Sequence, residues 1–395
     1  MLMDHPIRVL QVTIGDGSFG GVTSFLYTFY SRMDHAAVHF DFLYCGENSM
    51  RSKEADPVLE GSDITALHIL KRNNNGIIEY KKLYKALKEI FDKNGYDIVH
   101  VNSGNAFLNA CIAYLLDGRA VYISHSHNAS PAVRYSGRAK SLIKTLLKNS
   151  IRGYIIEKAD ALYACSDQAG INLFGEKGIR LEKYKVINNA IDTERFRFDQ
   201  QVRQSIRKDD KVIIGFVGRL SDQKNPLFAV DVFAEFHKKR PDSVLWMVGE
   251  GELRNAVEKK IDESGLRDHA VLFGRRDDVQ DLMQAMDVLI FPSAWEGLGI
   301  AAIEAQCSGL PVLASDRVPR AANVAGLITY LPLSLTADDW AEKMEETVTD
   351  GCIRRDMSLV LKNAQFDISS EAELLEENYK DLCSRFQRKM ITDCD

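Results

Sequence analysis

The sequence predicts an α/β protein built from two successive sheet-and-helix domains. Short β-branched runs alternate with amphipathic helical stretches along the chain, the pattern of parallel sheets covered by helices. That alternation lapses once, around Asn188 to Asp210, and then starts afresh. At roughly 150 residues per domain, 395 residues suffice for two or three cores.

In the first half, Ile7 to Ile14 reads as a buried strand, Val22 to Tyr30 as a helix and Phe40 to Tyr44 as a second strand. A helix over Tyr80 to Phe91, strands over Ile98 to Asn102 and Ala120 to Ser124, and a long helix over Ser141 to Ile156 follow. Strands at Leu162 to Cys165 and Lys185 to Ile187 close this half. The polar stretch after Asn188 places a boundary near residue 195, giving domains over 1–195 and 196–369. The second half opens with a strand at Val212 to Val217 and a helix at Pro226 to Lys239. Strands at Ser243 to Val248, Val271 to Phe273, Val288 to Phe291 and Pro311 to Ala314 follow, with helices at Val279 to Ala285 and between the last two strands. A final segment, 370–395, carries a helix over Ser370 to Lys389, far past the last strand.

Composition narrows the function. With 45 % apolar and 27 % charged residues the chain is neither disordered nor fibrous. No run approaches the ~18 apolar residues of a membrane span. Asp4, His5 and Arg8 stand where a signal peptide needs an apolar run, so a cytoplasmic protein is expected. Seven scattered cysteines without a Cys-x-x-Cys pair support neither a disulfide framework nor a zinc ribbon. Residues 1–190 carry 23 Lys+Arg against 19 Asp+Glu and the remainder 27 against 37, so the halves stand at +4 and -10. This argues against a nucleic-acid partner but leaves room for a local basic face. Arg134, Arg138, Lys140, Lys144, Lys148, Arg152 and Lys158, interleaved with apolar residues and a single Glu157, form one. Peripheral contact with an anionic membrane is the corresponding expectation.

Three loops and one strand end carry the chemistry. Gly15, Gly17 and Gly20 lie between the first strand and its helix, where backbone amides approach a ligand closely. Alone this is weak, because no acidic residue follows the second strand at dinucleotide-binding distance. Gly218-Arg219-Leu220-Ser221-Asp222-Gln223-Lys224-Asn225-Pro226 follows the first strand of the second half. Its two cations, five residues apart, suit a diphosphate, Arg219 through paired donors and Lys224 as a point charge. In Glu296-Gly297-Leu298-Gly299-Ile300-Ala301-Ala302-Ile303-Glu304, Glu304 is the sole charge between Glu296 and Asp316 and sits in an apolar helix. A carboxylate there needs polar partners, for which sugar or ribose hydroxyls are suitable, while Glu296 precedes a Gly-Leu-Gly helix start. His125, in Ser124-His125-Ser126-His127-Asn128, comes directly after a strand, where side chains of an open α/β sheet face a ligand crevice. With His127 it could suggest a metal, but no carboxylate or cysteine nearby completes a site.

Together these motifs resemble retaining glycosyltransferase family 4, of the GT-B fold, over nearly the whole chain. The two Glu residues separated by seven, the Gly-Arg-Leu with Lys five after the Arg, the first glycine loop and Asn189-Ala190-Ile191-Asp192 occur in family order. The Ser-His-Ser-His-Asn segment and Gly309 to Asp316 are similar to the branch that builds capsular polysaccharides and exopolysaccharides. The resemblance implies two Rossmann-like parallel-sheet domains facing a central cleft, with the last helix crossing back to the first domain. It implies that Arg219 and Lys224 hold a donor diphosphate, Glu304 the nucleotide ribose and Glu296 the donor sugar, helped by the amides of Gly297, Leu298 and Gly299. Phe273 and Gly274 would lie near the base, Gly17 and Gly20 on the acceptor side, and His125 would match the family's active-site histidine. Where many members carry Gly-Gly-x-Pro-Glu after the residue matching Asp316, this chain has Arg317-Val318-Pro319-Arg320.

The expected reaction moves a sugar, with retention, from a nucleotide diphosphate, UDP first, to a saccharide or lipid-linked saccharide hydroxyl. Neither cofactor nor metal is expected, since no Asp-x-Asp pair stands ready to hold a divalent ion on the diphosphate. A nucleotide-sugar-binding scaffold without turnover and a nucleotide-sugar epimerase of the same fold are the alternatives. A glycoside hydrolase using Glu296 and Glu304 would leave Arg219 and Lys224 without a role.

Overall fold

The computed structural model describes residues 5–14, 21–45, 61–67, 80–127, 149–349 and 354–392. It divides into two units, Met1–Ala190 with Ile368–Asp395, and Ile191–Asp367.

The first unit holds a parallel sheet of β1 (Ile7–Ile14), β2 (Val38–Cys45), β3 (Ile64–Leu67), β4 (Ile98–Asn102), β5 (Val121–Ser126), β6 (Ala161–Ala164) and β7 (Tyr184–Val186). Their order is β3-β2-β1-β4-β5-β6-β7. The chain winds outward from β1 to one edge, returns, and winds from β4 to the other, which leaves a crevice at the carboxyl ends of β1 and β4. Because side chains alternate across a strand, β1 feeds two cores. Val9 joins Phe40, Ile123 and Tyr163 on one face. Leu10 and Val12 join Leu43, Val101 and the helix residues Leu83, Leu87 and Ile112 on the other. The first face is completed by the helix Ile368–Thr392, which buries Ala372, Leu375 and Tyr379 there.

The second unit repeats the winding with β8 (Val212–Val217), β9 (Ser243–Val248), β10 (Ala270–Gly274), β11 (Val288–Phe291), β12 (Val312–Ser315) and β13 (Ile328–Leu331), in the order β10-β9-β8-β11-β12-β13. Its reversal lies between β8 and β11. Phe233, Phe236 and Trp340 pack on one face of this sheet. Met286, Phe291, Ile303 and Cys307 pack on the other.

At four points the structure adds to or alters the reading of the sequence. The polar segment after Asn188 is ordered structure, with short helices Thr193–Phe196 and Gln200–Ile206 capped by Asp192 and Asp199. Its charges are spent on caps and on Asp287, which Arg203 and Arg207 meet at 2.5 and 2.9 Å. The second sheet gains β13 beyond the last expected strand. Strand β5 runs on to Ser126, so His125 lies within it, not after it. Of the seven basic residues from 134 to 158, only Arg152 and Lys158 fall among the described residues. Residues 149–158 are helical, and Arg152 donates inward to the carbonyls of Leu173 and Asn172 at 3.0 and 3.2 Å.

Candidate active site

At the carboxyl end of β8 the chain turns through Gly218, whose N–H donates to Val248 O at 3.0 Å, and Leu220 N–H donates to Glu250 O at 3.0 Å. These bonds bring the loops after β8 and β9 into backbone contact. Gly249 has φ +137°, and a Cβ there would lie 1.9 Å from Gly218 O, so only glycine fits. Gly249 N–H in turn donates to Gly274 O at 2.8 Å, which joins the end of β10 to the same floor. Phe273, one residue earlier, meets Trp246 edge-on at 5.2 Å.

The loop after β8 is also bound to the loop after β11. Ala294 N–H donates to Gln223 O at 2.8 Å, and Gln223 Nε2 donates to Trp295 O at 3.0 Å. Through this double tie Lys224 Nζ reaches Glu296 Oε1 at 2.5 Å. The two side chains are 20 % and 6 % exposed, and the ammonium stands 5.0 Å from the centre of the Phe291 ring. Arg219 lies exposed on the same loop. Glu296, Gly297 and buried Leu298 lead to Gly299 (φ +94°), which starts the helix Ile300–Cys307 without a side-chain cap. An uncapped helix start presents free amides and a positive dipole end.

Glu304 lies one turn into that helix. Burial pushes its carboxyl up to about 7, against the opposing pull of Arg195 and Lys224. Arg195 was not singled out from the sequence. It is fixed by the Asp192 cap, by Gln280 Oε1 at 3.0 Å and by the carbonyl of Asp277. Its signal was its place three residues after Asp192, beside a segment already quoted. The structure thus brings Lys224, Glu296, Glu304 and Arg195 into one electrostatic group at the switch point of the second sheet. Arg219 and the Gly297–Gly299 backbone flank it, and Phe273 and Gly274 stand at the end of β10.

The first unit has its own polar cluster at the carboxyl ends of β1, β4 and β5. His125 is fully buried, with Phe25 edge-on at 5.3 Å. His100 Nε2 and His125 Nδ1 are 3.1 Å apart, and His100 Nδ1 is 2.7 Å from the hydroxyl of Tyr379. Gln11 Nε2 donates to that hydroxyl at 3.1 Å, Asn102 Nδ2 to Gln11 Oε1 at 2.8 Å, and His127 Nε2 faces Asn102 Oδ1 at 3.0 Å. Burial depresses all three histidines, His100 and His127 to about 3 and His125 well below the ordinary range. The rings of His125 and His127 lie 4.0 Å apart, tilted by 32°, and among the described residues no group of three or more His, Cys, Asp and Glu side chains is placed to hold a metal ion. Gln11, His100, Asn102 and Tyr379 were missed from the sequence, although polar residues inside Ile7–Ile14 and Ile98–Asn102 were the available signal. Gly17 and Gly20 lie outside the described residues.

The family model described as Glycosyl transferases group 1 matches residues 198–360, and that described as Glycosyltransferase Family 4 matches residues 19–195. EpsF of Bacillus subtilis (strain 168) is 29 % identical over 356 residues, covering 88 % of this chain and 90 % of EpsF. The Escherichia coli UDP-Gal:alpha-D-GlcNAc-diphosphoundecaprenol alpha-1,3-galactosyltransferase is 28 % identical over 276 residues, 67 % of this chain and 70 % of the enzyme. Among solved structures, HepE of Anabaena superposes with a TM-score of 0.68 at 18 % identity, covering 95 % of this chain and all of HepE. Two Rossmann-like sheets and two consecutive family matches lead to one assignment: the chain belongs to glycosyltransferase family 4 and has the GT-B fold.

Proposed function

We propose that this glycosyltransferase moves a sugar, with retention, from a UDP-sugar to a hydroxyl of a saccharide or lipid-linked saccharide in exopolysaccharide or capsule synthesis. The observation that carries the proposal is the Lys224–Glu296 pair, set beside Glu304 and an uncapped helix start at the switch point of the second sheet. Such points are where open α/β sheets bind nucleotides. Lys224 commits one ammonium proton to Glu296 and keeps two for phosphate oxygens. With Arg219 and the amides of Gly297, Leu298 and Gly299, it offsets charge that grows on the departing diphosphate, an effect commonly worth several kcal/mol per group. Glu304 accepts from the ribose hydroxyls, Glu296 from the sugar, and Phe273 and Gly274 border the base. His125 takes the place of the family's active-site histidine, and Gly17 and Gly20 belong to the acceptor side.

In the transfer, the bond from the anomeric carbon to the diphosphate oxygen breaks with its electron pair on the diphosphate. The acceptor oxygen forms its bond from the same face, and its proton leaves with the phosphate. The cations and helix amides take the place of a divalent metal. HepE was solved with UDP and with UDP-glucose, and the Escherichia coli relative is named for a diphosphoundecaprenol-linked acceptor, which supports donor and acceptor classes.

A thermal-shift panel of nucleotide sugars, followed by transfer assays with a chelator and NMR of the product anomer, tests this reading. The expected result is stabilisation by UDP-sugars, activity that survives the chelator, and a retained anomer. An inverted product or strict need for manganese or magnesium overturns the mechanism. Binding without transfer favours a scaffold, and sugar interconversion without an acceptor favours an epimerase.

A further inference from the structure

The chain has three tryptophans, in three different surroundings. Trp340 is fully buried, and its indole nitrogen donates to Pro332 O at 3.2 Å. Trp246 is half-buried on β9 and meets Phe273 edge-on at 5.2 Å. Trp295 is 52 % exposed, and among the described residues its indole makes neither a hydrogen bond nor a ring contact.

This exposure does not come from a loose loop. The chain is held on both sides of the Trp295 Cα: Ala294 N–H donates to Gln223 O at 2.8 Å, and Trp295 O accepts from Gln223 Nε2 at 3.0 Å. The next residue, Glu296, is 6 % exposed and engaged by Lys224. A side chain between such anchors loses little further backbone freedom when a ligand settles on it, so binding there is less opposed by entropy.

Gln223 also supplies a polar edge. Its Nε2 has a second proton, and its Oε1 has no hydrogen-bond partner among the described residues. A flat indole with an amide beside it that both donates and accepts matches the chemistry of a sugar ring. The axial C–H bonds of a pyranose, slightly positive, rest against the negative π face, and the hydroxyls at its rim exchange hydrogen bonds with the amide. A lipid chain would cover the indole and leave the amide unmet, and a phosphate would take the amide protons and gain nothing from the indole.

Place in the chain narrows the ligand further. The Cα atoms of Trp295 and Glu296 are about 3.8 Å apart, as in any trans peptide. In the proposed reaction buried Glu296 meets the donor sugar, while the acceptor arrives from solvent and must reach the same anomeric carbon. We infer that Trp295, with the Gln223 amide at its edge, is the platform on which the acceptor saccharide ring lies and so a determinant of which acceptor is glycosylated. The saccharide class rests on the sugar-transfer reading above, whereas the exposed, clamped indole rests on geometry alone.

The test is acrylamide quenching of tryptophan fluorescence in the full chain, to which Trp295 is the most open of the three indoles, with Trp295→Phe as the background. Methyl glycosides of glucose, galactose, mannose and N-acetylglucosamine, and disaccharides of the same sugars, are added with UDP bound. At least one should lower the wild-type quenching constant towards that of Trp295→Phe, whereas inorganic phosphate should not. In transfer assays with the saccharide so found, Trp295→Leu should raise the acceptor KM about tenfold, the scale of a lost aromatic stack, with the UDP-sugar KM unmoved and most of the loss recovered in Trp295→Phe. Wild-type quenching that no saccharide lowers, with UDP still bound, overturns the inference without any variant, so a variant that fails to fold does not shelter it. An unchanged acceptor KM in Trp295→Leu overturns it, as does an equal rise in the UDP-sugar KM, which would put the indole on the donor. Shielding of Trp295 by phosphatidylglycerol vesicles in place of saccharides assigns the indole to a membrane and overturns it too. Failure of UDP and all UDP-sugars to bind instead overturns the proposed function.

Discussion

Glu304 is held in an environment that favours its protonated form, with a carboxyl pushed up to about 7 by burial. Between about pH 4.5 and 7 an unfolded chain has lost this proton while the folded chain keeps it. Stability therefore falls as pH rises through that window and is level above it. Glu304→Gln removes the cost, and we expect it to stabilise the empty protein by about 2 kcal/mol at pH 8, with the gain shrinking towards pH 4.5. The same variant should lose nucleotide binding at least tenfold, so melting curves at two pH values beside a UDP titration check both halves. Lys224 and Glu296 pose a different question, because each leaves the other uncompensated when removed. Lys224→Met is expected to cost about 2–3 kcal/mol and Glu296→Gln about 1–2, with the double variant losing at least about 1 kcal/mol less than their sum. Urea denaturation of the four proteins measures the coupling, and additive losses would show that the pair contributes nothing net.

At the scale of elements, the site depends on loops packed backbone to backbone. Gly249→Ala places a methyl against Gly218 O as well as forcing a positive φ, whereas Gly265→Ala, at φ +69° with nothing within 4 Å, imposes only the second cost. We expect about 1 kcal/mol for Gly265→Ala and at least about 2 more for Gly249→Ala, which should also lose UDP binding. Equal destabilisation in melting experiments would show that the clash relaxes freely. This contrast also shows what the sequence could convey. Val212–Val217, Pro226–Lys239, Ser243–Val248 and Val288–Phe291 were legible to the residue, because each joins a simple apolar pattern to a clear stop. The helix Ala106–Leu116 was not read, since it is apolar nearly all round, and its start is marked only by the Asn105 cap. The cations and carboxylates of the second unit could be picked out because charge stands out in apolar surroundings. Arg195 and the Gln11 to Tyr379 chain could not, because their meaning comes from neighbours as many as 368 positions away.

For the whole molecule, the charge asymmetry and the basic run from 134 to 158 lead to a test against lipid. We propose that the chain sediments with anionic vesicles at low salt and is released as salt rises, since each engaged basic residue adds about 1 kcal/mol. Arg138, Lys140, Lys144 and Lys148 replaced by Glu should abolish the binding, and vesicle binding indifferent to salt would reject it. Among the described residues no helix is long and apolar enough to cross a membrane.

The first unit is assembled from both ends of the chain, Met1–Ala190 and Ile368–Asp395, with the second unit inserted between them. A ribosome making the chain at roughly 5–20 residues per second synthesises the whole of Ile191–Asp367 before it begins the last helix. Until Leu375 and Tyr379 emerge, the nascent first unit lacks part of the cover of the face that holds Phe40, Ile123 and Tyr163. A chain that stops before Ile368 lacks this helix, so limited proteolysis is expected to cleave its first unit faster than that of the chain that carries the helix.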